Sequence, residues 1–198
     1  FPLVIPGLLE HAERNHAKTE IVTRRLEGDI HRYFFPDMAA RSRQLARALH
    51  RLGVSAGDAV GTIAWNTYRH MELYYALPGI GAIYHTINPR LSPQQLSYVI
   101  SHAQDKYLFV EAMFLPLLEG IADELSGLRG VVVLCDEALM PESSLGNVLC
   151  YESLLSAETD DEIRWADMDE NSAAGICYTS GTTGNPKGVV YSHRSLVL

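Results

Sequence analysis

AIYHTINPRLSPQQLSYVISHAQDKYLFV, residues 82–110, contains one complete unit of the architecture. Ala82 to Ile87 is an apolar run of strand length, rich in β-branched and aromatic side chains. Ser92-Pro93-Gln94-Gln95 combines a capping box with proline at the first helical position. Leu96, Val99, Ile100 and Ala103 then recur at three- and four-residue spacing, the buried stripe of a helix. Tyr107 to Val110 reads as the next strand.

The same alternation continues on both sides. Ala59 to Trp65 reads as a strand, followed by a helix capped by Asn66 or Thr67 and running to about Gly81, with Pro78 kinking or ending it. Phe114, Leu117, Leu118, Ile121 and Leu125 form a further helix face, and Val131 to Cys135 another strand. Upstream, residues 37–52 are a helix, with Met38, Leu45, Leu49 and Leu52 on one stripe, Pro36 in the first turn and Gly53 at its end. Its arginines, Arg41, Arg43, Arg47 and Arg51, are expected on a solvated face, with an anion site as the alternative. Residues 1–35 suggest a short helix around Leu8, Leu9 and Ala12 and a small antiparallel pair at 21–23 and 30–35. Strands and helices in turn imply an α/β fold, a mostly parallel sheet flanked by helices on both faces.

Size and charge narrow the function. The chain has 198 residues, enough for one domain and part of a second. A formal charge of −8 lacks the basic footprint that nucleic-acid binding needs. No apolar run is long enough to span a bilayer, and the start has no basic region of a signal peptide. Cys135, Cys150 and Cys177 are far apart with no Cys-x-x-Cys, so three reduced thiols and a cytoplasmic location are expected. Between 158 and 170, seven of thirteen residues are acidic. A solvated connection is favoured there over a metal site, because no carboxylate pair has a fixed spacing on one element. The absence of an initiator Met, and an end just after Ser192-His193-Arg194-Ser195 opens a helix, lead us to expect the front part of a larger enzyme.

The chemistry gathers at residues 178–187, Tyr-Thr-Ser-Gly-Thr-Thr-Gly-Asn-Pro-Lys. An apolar run precedes it (Ala173, Ala174, Ile176, Cys177) and another follows (Val189, Val190, Tyr191). Four hydroxyls, on Thr179, Ser180, Thr182 and Thr183, lie among Gly181, Gly184 and Gly188. Glycines let successive N–H groups converge into an anion-binding nest, and Lys187 adds a point charge suited to phosphate. The alternative is an ordinary Gly/Thr-rich surface hairpin. The GTPase-type phosphate loop does not fit: it needs Gly-Lys-Ser/Thr leading into a helix, whereas Gly188 follows Lys187.

The order Tyr-Thr-Ser-Gly-Thr-Thr-Gly-x-Pro-Lys-Gly resembles the phosphate loop of the adenylate-forming superfamily of acyl-CoA synthetases, peptide-synthetase adenylation domains and firefly luciferase. The resemblance extends over most of the chain from about residue 37. Leu52-Gly53-Val54 with Gly57-Asp58-Ala59-Val60, Gly79-Ile80-Gly81-Ala82 with Ile87-Asn88-Pro89, and Ser192-His193 look like further segments of that family. Residues 65–72 and 85–90 look most like the medium- and long-chain fatty acyl-CoA ligases. One departure is Phe34-Phe35-Pro36, where relatives carry Thr-Tyr at the opening of their first long helix.

The resemblance implies a large N-terminal domain. Residues 1–170 would be its first α/β subdomain and 171–198 the start of its second, with the C-terminal domain and the catalytic residues downstream. It implies ATP, Mg²⁺, a fatty acid and coenzyme A as ligands, with a homodimer left open. Thr179, Ser180, Gly181, Thr182, Thr183, Gly184 and Lys187 would hold the ATP phosphates, and Thr179 would also contact Mg²⁺. His193 would either contact the acyl or pantetheine passage or cap the next helix. Three alternatives stay open: a ligase for an aryl or amino acid, a non-catalytic nucleotide-binding module, and a nucleoside triphosphate hydrolase.

Overall fold

The structure is a computed structural model and describes residues 2–159, 161, 163–179 and 184–198. The first helix, α1 (Ile5–Asn15), is followed by a two-stranded antiparallel ribbon, β1 (Glu20–Arg24) and β2 (Ile30–Phe34). Next come α2 (Phe35–Arg51), β3 (Ala59–Ile63), α3 (Tyr68–Gly79), β4 (Ile83–Thr86), α4 (Pro93–Ala103) and β5 (Tyr107–Val110). The chain continues with α5 (Leu115–Glu119), β6 (Gly130–Val133), β7 (Val148–Cys150), α6 (Tyr151–Ser156), β8 (Ala173–Thr179), β9 (Lys187–Ser192) and α7 (His193–Val197).

Seven strands form one sheet in the order β7-β6-β5-β3-β4-β8-β9. All neighbours are parallel except β8 and β9, an antiparallel hairpin at the edge. Alternating side chains point to opposite faces of a strand, so each strand feeds two cores. On one face Val60, Phe109 and Val132 pack with Leu45 and Leu49 of α2 and Leu73 and Leu77 of α3. On the other, Leu108, Val110, Val131 and Val133 pack with Leu96, Val99 and Ile100 of α4 and Leu115 and Leu118 of α5. With both faces covered, the central strands β3, β4, β5 and β6 are mostly buried and mostly apolar, as buried parallel strands are, with Thr62 and His85 as buried polar members.

Local signals set the helix limits. In α4, Ser92 Oγ accepts from the Gln95 N–H at 3.3 Å and Gln95 Oε1 accepts from the Ser92 N–H at 3.2 Å. Gln104 ends that helix in the left-handed region at φ 58°. For α2, the Asp37 carboxylate accepts from the Phe34 N–H at 2.8 Å, so the Phe34-Phe35-Pro36 departure still leaves an exposed backbone donor satisfied. α3 stops one residue after Pro78.

Three expectations need correction. The expected continuous helix over 114–125 is α5 flanked by 3₁₀ turns at Ala112–Phe114 and Ala122–Glu124. Residues 136–170 contain β7 and α6, which periodicity did not reveal because each is only three to six residues long. Of the α2 arginines, Arg41, Arg43 and Arg47 are half-buried and not on a solvated face, while Arg51 is exposed as expected. Arg41 pairs with Glu72 and Glu152, Arg43 with Glu13 and Arg51 with Glu158, while Arg47 donates to the Asp161 carbonyl. Segments distant in sequence fold over that stripe, which helical periodicity alone cannot foretell.

Candidate nucleotide site at the sheet edge

Strand β8 runs parallel to β4, so Thr179 at its end lies on the carboxyl edge of the sheet, the side where open α/β sheets hold ligands. There the chain reverses into β9. Thr179 and Lys187 are cross-strand partners at the mouth of this hairpin, and both are exposed. Gly184 has φ +90°, a conformation L side chains rarely adopt, and the space where a Cβ would project holds no atom of the described residues within 4 Å. Pro186 is buried just before Lys187. The remaining expected phosphate contacts, Ser180, Gly181, Thr182 and Thr183, lie outside the described residues.

The arms of the hairpin are tied to the sheet behind them. Cys177 Sγ lies 3.1 Å from Thr86 Oγ1 on β4. Tyr178 pairs across the hairpin with Gly188, and its hydroxyl shares a 2.6 Å hydrogen bond with His102 Nδ1 on α4. Burial pushes the Tyr178 hydroxyl above its ordinary pKa. Sequence spacing gives Tyr178 no role, since nothing in it shows that α4 passes within reach.

His193 is fully buried, and burial lowers the pKa of its imidazole. Its Nδ1 accepts from the Ile5 N–H at 3.3 Å, so it satisfies a first-turn donor of α1. The helix it caps is therefore α1, 188 residues away in sequence, and not the one it begins. The reading that ran α7 straight from Ser192 holds: Ser192 Oγ accepts from the Ser195 N–H at 3.2 Å.

The side chains at the hairpin mouth suit a hard cation and a phosphate. Thr179 offers an exposed hydroxyl oxygen, the kind of ligand Mg²⁺ takes alongside retained waters, and Lys187 offers a cation opposite it. Among the described residues no group of three His, Cys, Asp or Glu could hold a metal. The cysteines are free thiols, Cys135 buried and the other two half-buried. Among the described residues no helix is long and apolar enough to cross a membrane. The hydrolase alternative needs a helix directly after the loop, and Lys187 instead begins a strand.

Residues 8–198 match the family model described as AMP-binding enzyme. The chain belongs to the AMP-binding enzyme family. Within it, the chain is 45% identical over 197 residues to the 3-methylmercaptopropionyl-CoA ligase of Ruegeria lacuscaerulensis, covering all of this chain and 36% of that protein. It is 44% identical over 196 residues to the medium-chain-fatty-acid–CoA ligase of Ectopseudomonas oleovorans, covering 99% and 36%. The solved anthranilate CoA ligase AuaEII, in complex with anthranoyl-AMP, superposes with a TM-score of 0.86 at 24% identity, over 98% of this chain and 36% of that one. The fold of this chain is thus that of part of a CoA ligase, and the chain spans about a third of its relatives' length.

Proposed function

We propose that this chain is the N-terminal part of an ATP-dependent fatty acid–CoA ligase, and that its β8–β9 hairpin holds the phosphates of ATP during carboxylate activation. One observation carries the reading: an exposed hydroxyl and an exposed lysine, Thr179 and Lys187, face each other where a hairpin turns at the carboxyl edge of a parallel sheet. The residues that follow Thr179 in sequence are hydroxyls and glycines, the composition of an anion nest.

In the first half-reaction a carboxylate oxygen attacks the α-phosphorus of ATP and the bond to the β-phosphate oxygen breaks. Pyrophosphate leaves with the electron pair, and an acyl-adenylate results. Negative charge grows on the leaving group, so fixed donors aimed at it lower the barrier. Lys187 places its ammonium at the γ-phosphate, and Ser180, Gly181, Thr182, Thr183 and Gly184 donate to the β- and γ-phosphates. Thr179 holds Mg²⁺, which when bound neutralises part of the triphosphate charge. In the second half-reaction the coenzyme A thiol displaces AMP. Residues 1–170 form the first subdomain in this reading, 171–198 begin the second, and the acid-binding and catalytic groups belong to the remainder of the ligase, working in the cytoplasm.

The 45% identity to a ligase named for 3-methylmercaptopropionate supports a second reading, in which the acid is a short thioether acid. A panel of medium-chain, long-chain, aromatic and thioether acids offered to the full-length ligase, with AMP release as readout, separates the two. Lys187→Ala in that enzyme should lower acid-dependent AMP release by about a hundredfold or more, the usual cost of a lost charge-stabilising group. Turnover within a factor of two of the parent would remove the phosphate role.

A further inference from the structure

Tyr178 precedes the phosphate hairpin's turn by one residue and pairs with Gly188, which follows Lys187 by one residue. A Cβ on Gly188 would lie 3.1 Å from the Tyr178 Cζ and 3.4 Å from both of its Cε atoms, so the phenol ring lies close over the opposite arm and a side chain there would press on it. The hydroxyl then reaches His102 Nδ1, 2.6 Å away near the end of α4. His102 is itself stacked on Tyr98 one helical turn earlier, with ring centroids 5.2 Å apart. On the sheet side, the ring of His85 from β4 lies 5.1 Å from that of Tyr178. His85 is fixed in turn by a fully buried 2.8 Å contact between its Nδ1 and Asp105 Oδ2. One side chain is therefore gripped by α4, by the neighbouring strand β4 and by the arm that carries Lys187.

We infer that Tyr178 is a positioning residue for ATP: clamped by His102, it fixes the two arms of the hairpin so that Thr179 and Lys187 face the same phosphate group. Resting on the phosphate reading proposed above, this inference adds α4 to the machinery of nucleotide binding. The pairing Thr179↔Lys187 is the next step of the ladder after Tyr178↔Gly188, so a ring that sets one spacing sets the other. Tyr178 and His102 join α4 directly to the hairpin that carries Thr179 and Lys187, so losing the clamp is expected to fall on ATP first.

The test uses the full-length ligase carrying Tyr178→Phe, His102→Ala, both together, or His102→Asn, with Lys187→Ala alongside. Tyr178→Phe keeps the ring over Gly188 and removes only the hydroxyl. It should raise KM for ATP about three- to tenfold, the worth of one hydrogen bond, while KM for the acid stays unchanged. His102→Ala should do at least as much, and the double variant should be no worse than His102→Ala alone, because Tyr178→Phe then has no bond left to remove. Asn at 102 offers an amide close to where Nδ1 stood and should recover most of the loss. A KM for ATP at the parent value in Tyr178→Phe overturns the inference, as do equal changes in the KM for ATP and acid, or losses that multiply in the double variant. If Lys187→Ala impairs ATP use while the Tyr178 and His102 variants do not, the clamp falls and the phosphate site stands. If Lys187→Ala is also silent, the phosphate reading falls with it.

Discussion

Glu111 follows β5 directly, at the carboxyl edge of the sheet, and is 2% exposed. The Thr67 hydroxyl donates to its Oε1 at a long 3.4 Å. Burial pushes this carboxyl up to about 7, against a smaller opposing pull from the Arg69 guanidinium. The folded chain therefore holds a proton here that the unfolded chain releases near the ordinary glutamate value. Folded protein binds more protons than unfolded between these two values, so this group's contribution is complete below about pH 4.5 and is lost as pH rises to about 7. The interval corresponds to at most about 3 kcal/mol. Glu111→Gln should flatten the fall in stability across that window, measured as urea midpoints from pH 4.5 to 7.5; an unchanged slope would show that Glu111 titrates normally. Reading residue types served well where the signal is local: Asn66 or Thr67 could be named as a helix start, and Thr67 is the residue before α3. It failed where a partner comes from afar. Thr67 spends its hydroxyl on Glu111 and not on its own helix, and His193 serves a helix at the other end of the chain.

Among the elements, α4 shows how much one cap decides. Its two reciprocal hydrogen bonds satisfy first-turn donors that would otherwise face solvent, and the helix carries His102 toward the hairpin. Ser92→Ala should cost about 1 kcal/mol of stability, read from a denaturant titration, and a loss under about 0.3 kcal/mol would mean water replaces the cap without penalty. This helix was legible because cap, proline and apolar stripe all lie within it. The segment from Val148 to Ser156 was not. β7 has three residues, and it exists because Val131 to Val133 of β6 offer it an open ladder, a fact of tertiary pairing. The break-up of 114–125 has a related cause. Pro116 sits in the first turn of α5 and Gly120 follows its end, so an apolar stripe of helical spacing is carried on three short pieces.

Across the whole molecule, a buried cluster of charges links the ribbon, α2, α3 and α6, elements that also meet in apolar clusters. Glu72 on α3 is fully buried and accepts from Arg41 Nε at 2.7 Å, from the Tyr151 hydroxyl at 2.6 Å and from the Tyr33 hydroxyl at 3.2 Å. These donors come from α2, α6 and the β1–β2 ribbon. Arg69, 3% exposed, extends the cluster to Glu152, Glu27 and Asp136 at 2.8, 2.7 and 2.5 Å. Burial raises the Glu72 pKa, and the Arg41 guanidinium beside it opposes that shift. Pairing of this kind offsets desolvation without adding much net stability, but removing one member leaves the others uncompensated. Glu72→Ala strands the Tyr33 and Tyr151 hydroxyls and removes two bonds of Arg41, although Glu152 still holds Arg41 Nη2 at 3.1 Å. The loss should therefore fall near the lower end of the range for a broken buried pair, about 3 kcal/mol. Tyr151→Phe should cost less, and combining it with Glu72→Ala should add little, since the tyrosine's acceptor is already gone. Chemical denaturation of the three variants decides it: additive losses would mean that Tyr151 and Glu72 act independently and that ribbon, α2, α3 and α6 are held by their apolar contacts alone.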